Sequence, residues 1–303
     1  MKFLKELKKN KQLYLLSIPG IICMIVFSYI PMSGHILAFK AYDLKKGFFG
    51  GEWVGLKNFE FFFGSNDWKV ITFNTVFLNI LFIVVTQVAA IVLAILINEV
   101  TSRFFKRFFQ SVVFLPYFVS WLVVSLMLVA LLNSSDGMLN SFLASMGKDK
   151  IGFYMNPDYW PTILTIAYVW KFAGYYSIIY LATIIGIPKD YFESASIDGA
   201  SKLQQILKIT LPLMVKTIII MLLLSIGRIF YGDFGMIYGI IGENGILFPT
   251  TDVIDTYVYR ALKTLGNFGM ASAVGLYQSF MGLITICVFN AIVKKIDPDA
   301  QLF

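Results

Sequence analysis

GIPKDYFESASIDGASKLQQILKITLPL, residues 186–213, is a long polar-patterned stretch between two strongly apolar runs, and its punctuation is that of two short helices around a corner. Pro188 suits the first turn of a helix, where a missing N–H costs nothing, and Asp190 and Glu193 put negative charge near that helix's positive end. Asp198-Gly199 is a turn signal, because glycine accepts backbone angles that other residues avoid and aspartate bonds back to the local backbone. Ser201-Lys202-Leu203-Gln204 matches a capping box, in which the serine side chain satisfies one free N–H and the glutamine another. Leu203, Ile206, Leu207 and Leu211 follow at helical spacing and predict one apolar face. Pro212 marks the entry to the next apolar run. The expected result is a compact knob: helix, glycine corner, helix.

The flanking sequence says what the knob is attached to. Of 303 residues, 58% are hydrophobic and 14% are charged, with a mean hydropathy of +0.74; a soluble domain carries about a quarter charged residues. This is the composition of an integral membrane protein. Hydrocarbon offers no partner to a free backbone N–H or C=O, so long apolar runs without strand-like alternation must be helices, and the fold class is all-α. Runs of sufficient length lie at 13–39, 71–97, 108–132, 160–185, 213–234 and 270–293. They predict six transmembrane helices in a single membrane domain, 13–303, behind a basic tail, 1–12, that carries Lys2, Lys5, Lys8, Lys9 and Lys11. The first run is too long for a cleaved signal peptide and lacks a small-residue cleavage site.

Orientation follows from the basic residues. The N-terminal tail and the connections holding Arg103, Lys106 and Arg107, Lys189, Lys202 and Lys208, and Lys294 and Lys295 are richer in them than the longer alternate connections, which predicts cytoplasmic N and C termini and a cytoplasmic knob. A net charge of +7 is then a matter of topology. Nucleic-acid binding would gather the charge in one stripe, and no nucleic-acid partner is expected. The outer connection 40–69, with Phe48, Phe49, Trp53, Phe59, Phe61, Phe62 and Phe63, predicts a short amphipathic helix at the lipid interface or against a neighbouring subunit. Cys23 and Cys287 fall inside apolar runs and read as small buried hydrophobes.

Glu193-Ser194-Ala195, Asp198-Gly199-Ala200, Ile209 and Leu211-Pro212 resemble, in order and spacing, the EAA loop of permease subunits of ATP-binding-cassette (ABC) importers. The match covers about twenty positions, and fixed spacing over that length is far more specific than any dipeptide in it. Ser194 stands where alanine is usual, Ile206 where phenylalanine is common and Lys216 where a second proline is frequent. The resemblance implies a type I ABC importer permease fold in the cell membrane, with 186–212 as the coupling loop that sits in a groove of a separate ATPase. Carried over residue by residue, Glu193, Ala195, Asp198, Gly199 and Ala200 would make or shape that contact. A second homologous permease, an ATPase dimer and an extracytoplasmic solute-binding protein are the implied partners, and the ATPase would hold ATP and Mg. Asp252–Arg260 (DVIDTYVYR), the Ala273–Ser279 stretch (AVGLYQS) and the closing Leu302-Phe303 resemble the branch of this family that imports oligosaccharides and complex carbohydrates.

Polar groups inside apolar runs are the candidates for a substrate path. Lys171 is near the middle of the fourth run, with Tyr168 and Tyr175 on the same helical face. Arg228, Tyr231 and Asp233 lie toward the outer end of the fifth, among Gly227, Gly232 and Gly235. Aromatic faces against sugar C–H surfaces and polar groups on hydroxyls would suit a carbohydrate. The same residues also fit a structural reading, with Lys171 paired, Arg228 snorkelling and the tyrosines filling helix contacts. Asn74, Asn79 and Gln87 read as hydrogen-bond partners between helices. No G-x-x-x-x-G-K-[ST] occurs, so ATP chemistry is not expected in this chain. His35 has no neighbouring Cys or acidic cluster, which argues against zinc and against a histidine-dependent triad. The chain is expected to be a non-catalytic transport subunit. Two rival classes stay open: an ion-coupled secondary transporter, for which Asp233 is the candidate carboxylate, and an integral membrane enzyme, which lacks clustered acids for a metal.

Overall fold

The computed structural model describes residues 9–43, 45–47 and 50–296; Lys2, Lys5, Lys8, Phe48, Phe49 and Leu302-Phe303 lie outside them. The chain divides into two compact units, Met1–Ser65 with Val258–Tyr277, and Asn66–Tyr257 with Gln278–Phe303. Among the described residues, four helices are long and apolar enough to cross a membrane, or six if each of two bent pairs counts as one span.

In the first unit, α1 (Lys11–Phe39) is a single apolar rod that passes through a π turn at Ile25–Tyr29 and ends in a 3-10 segment, Ser33–Phe39. The π turn lies just ahead of Pro31. A proline has no N–H to give and its ring crowds the carbonyl one turn back, and widening the helix there relieves the crowding. The connection after α1 pairs β1 (Lys40–Ala41) with β2 (Glu52–Trp53) antiparallel before a short α2 (Lys57–Phe63). The helix expected across 40–69 is thus seven residues long and follows a small hairpin. Asn58 fixes the end of α1, its Nδ2 donating to the carbonyls of Ala38 and Lys40, each at 3.0 Å, and Phe39 stacks on Trp53 with ring centres 5.7 Å apart.

The second unit is built on α3 (Asp67–Glu99) and α7 (Trp160–Ile185), whose buried faces carry most of its core. Leu78, Phe82, Trp160, Leu164 and Ala167 pack with Met236 and Ile240 in one cluster, and Ala90, Ala94, Tyr180, Leu181 and Ile184 pack with Met214 in another. The third apolar run is not one straight span. It folds as α4 (Arg103–Phe118) and α5 (Trp121–Leu132), bent by 95°. The cause is local: Pro116 sits in a 3-10 turn, Leu115–Phe118, Val119 is extended, and Ser120 restarts the helix by accepting the Val123 N–H. A short α6 (Met138–Ser145) follows outside the run.

The knob forms as two helices around a glycine corner. Its first helix, α8 (Lys189–Ile197), begins after Pro188, Gly199 takes φ +79°, and both halves of the Ser201/Gln204 capping box are present. The second helix differs from expectation. It continues without a break into the fifth run as α9 (Lys202–Ile226), absorbing Pro212 by a π turn at Ile206–Thr210. Leu203 and Leu207 are exposed and Gln205 is buried, so the predicted apolar face is not the one turned inward. The fifth run also ends early, at Ile226; a turn follows, and Asp233 caps a new helix, α10 (Phe234–Ile241). After a turn at Phe248–Thr251, α11 (Ile254–Leu265) and α12 (Phe268–Ile296) complete the described chain. Cys23 and Cys287 are free and exposed on the chain's surface, which corrects the buried reading: in a membrane protein an apolar run faces lipid as readily as core.

Candidate functional site

A cavity of about 650 Å³ opens within the second unit, inside the range of about 300–1,000 Å³ usual for small-molecule sites. Three elements build it. α3 supplies Asn79, Phe82, Thr86 and Gln87, α7 supplies Tyr168, Phe172, Tyr175 and Tyr176, and the end of α9 with the turn beyond it supplies Ser225, Arg228, Tyr231 and Asp233. One wall is therefore aromatic and another polar. Phe82 and Tyr168 stack with ring centres 4.7 Å apart, which holds two of the rings in place.

The turn at 227–233 keeps a few short backbone bonds, and the carbonyls of Ile229, Phe230 and Tyr231 are met by side chains from other elements. Asn79 Nδ2 donates to the carbonyls of Ile229 (3.0 Å) and Tyr231 (3.2 Å). Gln278 Nε2 donates to the Phe230 carbonyl at 2.7 Å and to Asp255 at 3.0 Å, and Asp255 in turn accepts the Gly232 N–H at 2.6 Å. Gly232 admits this approach because a Cβ there would lie 2.9 Å from the Asp255 carboxylate. Asp233 accepts the Trp121 Nε1–H at 2.9 Å with one oxygen and the Met236 N–H at 3.0 Å with the other. Arg228 is thus presented on a turn pinned from several sides. Burial pushes the Asp255 carboxyl up from the ordinary carboxylate range, against the lowering effect of its Gly232 and Gln278 donors.

The sequence candidates separate on this geometry. Tyr168, Tyr175, Arg228, Tyr231 and Asp233 line the cavity together, and Lys171 does not. Lys171 is buried, and its ammonium donates to the carbonyl of Tyr117, at 2.9 Å, and to that of Val119. It also lies 5.2 Å from the Trp121 ring, 5.7 Å from Phe172 and 5.9 Å from Tyr117. These are the carbonyls freed by the break between α4 and α5, so Lys171 closes that break. Asn74, Asn79 and Gln87 do link elements: Asn74 donates to the Pro249 and Asp252 carbonyls at 3.1 Å each, and Gln87 accepts from Tyr180. Asp233, the candidate carboxylate of the ion-coupled alternative, holds one protein donor on each oxygen and caps α10. Gln278, Asp255 and Trp121 were not read as site residues; the visible signal for the first two was a polar residue within DVIDTYVYR and AVGLYQS.

At the other end of α9, Glu193, Asp198 and Gly199 are exposed, and Ala195 and Ala200 are half-buried. Gln205 closes the knob from within, donating to Ser196 Oγ at 2.9 Å and to the Ala200 carbonyl at 3.4 Å. Ile197, 87% exposed, is the most open large apolar residue here.

A polytopic helical chain with a polar and aromatic cavity between its helices and a capped, uncovered knob has the build of a membrane transport subunit. A family model for the binding-protein-dependent transport system inner membrane component matches residues 87–298. The chain is 34% identical, over 98% of its length and 92% of the relative's, to the polygalacturonan/rhamnogalacturonan transport system permease protein YteP of Bacillus subtilis (strain 168). It is likewise 34% identical to protein LplB of the same organism, over 98% and 93%. Its fold matches a chain of a bacterial alginate ABC transporter, solved in complex with an alginate pentasaccharide-bound periplasmic protein, with a TM-score of 0.88, 32% identity and 98% of each chain covered. The chain therefore belongs to the family of binding-protein-dependent transport system inner membrane components, the permease subunits of ABC importers, as the spacing of residues 193–212 implied.

Proposed function

We propose that this chain forms half of the translocation path of an ATP-driven oligosaccharide importer in the cell membrane, with six spans, both termini cytoplasmic and the knob as its point of contact with a separate ATPase. The bent pair α4–α5 belongs, on this reading, to one span, and α7 is a span by itself that ends where the knob begins. A second homologous permease supplies the other half of the path, and an extracytoplasmic solute-binding protein delivers the sugar. ATP and Mg²⁺ are held by the ATPase dimer, and this chain is non-catalytic. Carbohydrate as substrate is supported by the aromatic and polar walls of the cavity and by the polysaccharides for which the pectin-system relative and the alginate transporter are named.

The observation that carries the coupling role is Gly199. It holds the corner of the knob at φ +79°, and a Cβ built there meets nothing within 4 Å, so a side chain would project away from this chain toward whatever docks. A non-glycine residue in that conformation costs roughly 1–2 kcal/mol, too little to unfold a membrane domain. Gly199→Leu is therefore expected to insert normally in the membrane, to lose uptake and to co-purify with less ATPase. Normal uptake by that variant would remove the coupling role.

A further inference from the structure

Resting on the carbohydrate reading above, we infer that Arg228 is the specificity residue of the cavity and that the transported oligosaccharide carries carboxylate groups, as uronic acid units do. Among the described residues that line the cavity, Arg228 is the one cation and Asp233 the one acid. Asp233 is spoken for by Trp121 and the Met236 N–H. Arg228 is exposed, and no carboxylate of the described residues lies within 4.0 Å of it. A guanidinium with no carboxylate in reach, set on the wall of a cavity between helices, is a ready partner for an anionic ligand.

The surroundings make it a built recognition group. The backbone just beyond Arg228 is pinned by Asn79 and Gln278, and its own N–H is held by the Ser225 carbonyl at the end of α9, so little ordering remains to be done when a ligand arrives. A guanidinium offers a planar fork of donors that matches a carboxylate bidentately. Tyr168, Tyr175 and Tyr176 line the same cavity from α7, an aromatic wall that suits the C–H surface of a pyranose. A cavity for a neutral sugar would need the aromatic wall and hydrogen-bonding side chains, with no use for a fixed unpaired cation. A small anion such as inorganic phosphate would use the cation and leave the aromatic wall idle. A sugar acid uses both.

The test is uptake into proteoliposomes holding the complete importer with its solute-binding protein inside-out controls excluded. The probes are labelled tetragalacturonate and the same tetrasaccharide with its carboxylates reduced to primary alcohols, compared in wild type, Arg228→Gln and Arg228→Lys. Wild type is expected to take up the charged sugar with a half-saturation at least about tenfold lower than the neutral one. Arg228→Gln should erase that difference by weakening uptake of the charged sugar about tenfold while leaving the neutral one within twofold, and Arg228→Lys should restore part of it. Uptake of both sugars lowered equally by Arg228→Gln, or a wild-type preference for the neutral sugar, overturns the assignment and leaves carbohydrate transport standing. Uptake of neither sugar by wild type overturns the assignment together with the carbohydrate reading.

Discussion

Replacing Lys171 with methionine isolates what holds the break between α4 and α5. Methionine keeps an unbranched stem of similar bulk and removes all three donors. The carbonyls of Tyr117 and Val119 would then have lost the ammonium, and the helix has already restarted beyond them at Trp121. A hydrogen bond to a charged group nets about 1.5–3 kcal/mol, so the two together are worth about 3–6 kcal/mol. Against this, taking a desolvated ammonium out of the interior returns a few kcal/mol. The cation's attraction to the Trp121 ring at 5.2 Å adds on the order of 1 kcal/mol to the loss. The balance is a net destabilisation of about 1–4 kcal/mol. Thermal unfolding of the purified importer in mild detergent, followed by tryptophan emission, reads both consequences: a midpoint lower by several degrees and an altered environment for Trp121. Lys171→Arg, which keeps the donors, should fall between the two proteins. A Lys171→Met importer that melts like wild type would refute the reasoning that this lysine closes the break.

Two further substitutions follow from close approaches elsewhere in the second unit. At Gly174 a Cβ would lie 1.7 Å from the Val113 carbonyl oxygen and 2.4 Å from its carbon; both are backbone, so Gly174→Ala must push α4 away from α7 and is expected to cost about 3 kcal/mol, read as a lower yield of folded protein and a lower melting midpoint beside an Ala173→Gly control. Asp255 lies outside the membrane spans, and burial raises its pKa. The native chain therefore holds that proton to a higher pH than the unfolded chain does. Its contribution to stability is present in full below the unfolded carboxylate value and is lost as pH rises through the folded one. Wild type should accordingly melt at a higher temperature as pH falls across that window, and Asp255→Asn, whose amide oxygen can still accept from Gly232 and Gln278, should show a flatter dependence; an equal slope in both proteins would count against the assignment.

Hydropathy found the long elements because burial in lipid and burial in protein ask for the same residues. The 160–185 run coincides with α7, and 71–97 lies within α3. What hydropathy does not carry is direction. Residues 108–132 are apolar throughout, yet Pro116 and Ser120 turn the chain by 95°, and Lys171, 54 residues from Tyr117, donates to the carbonyls that the turn frees. The knob was legible in detail, since a capping box and a glycine corner are local chemistry. The cavity was legible in part. Its aromatic wall follows from helical spacing on α7, whereas the pins on the 227–233 turn come from Asn79, Asp255 and Gln278, residues whose relation to the turn is set by tertiary packing and leaves no periodic trace.

Pro212, which marks the entry to the fifth run, leaves the helix uncut, and the reason bears on mechanism. Both Pro31 and Pro212 follow a five-residue π turn by two positions, and in each case the helix runs through. The wider turn takes up the missing N–H, and the rod is not cut. As a result α9 extends unbroken from Lys202 beside the glycine corner to Ile226, a distance of about 37 Å at helical rise, and the cavity turn carrying Arg228 begins at the next residue. Had the proline broken the helix, a push on the knob could have been absorbed by a hinge at the membrane surface. With the helix continuous, displacement of the knob and displacement of the Arg228 turn are the two ends of one lever, and on the proposed reading this is how a nucleotide-driven movement outside the membrane changes the grip on a sugar within it.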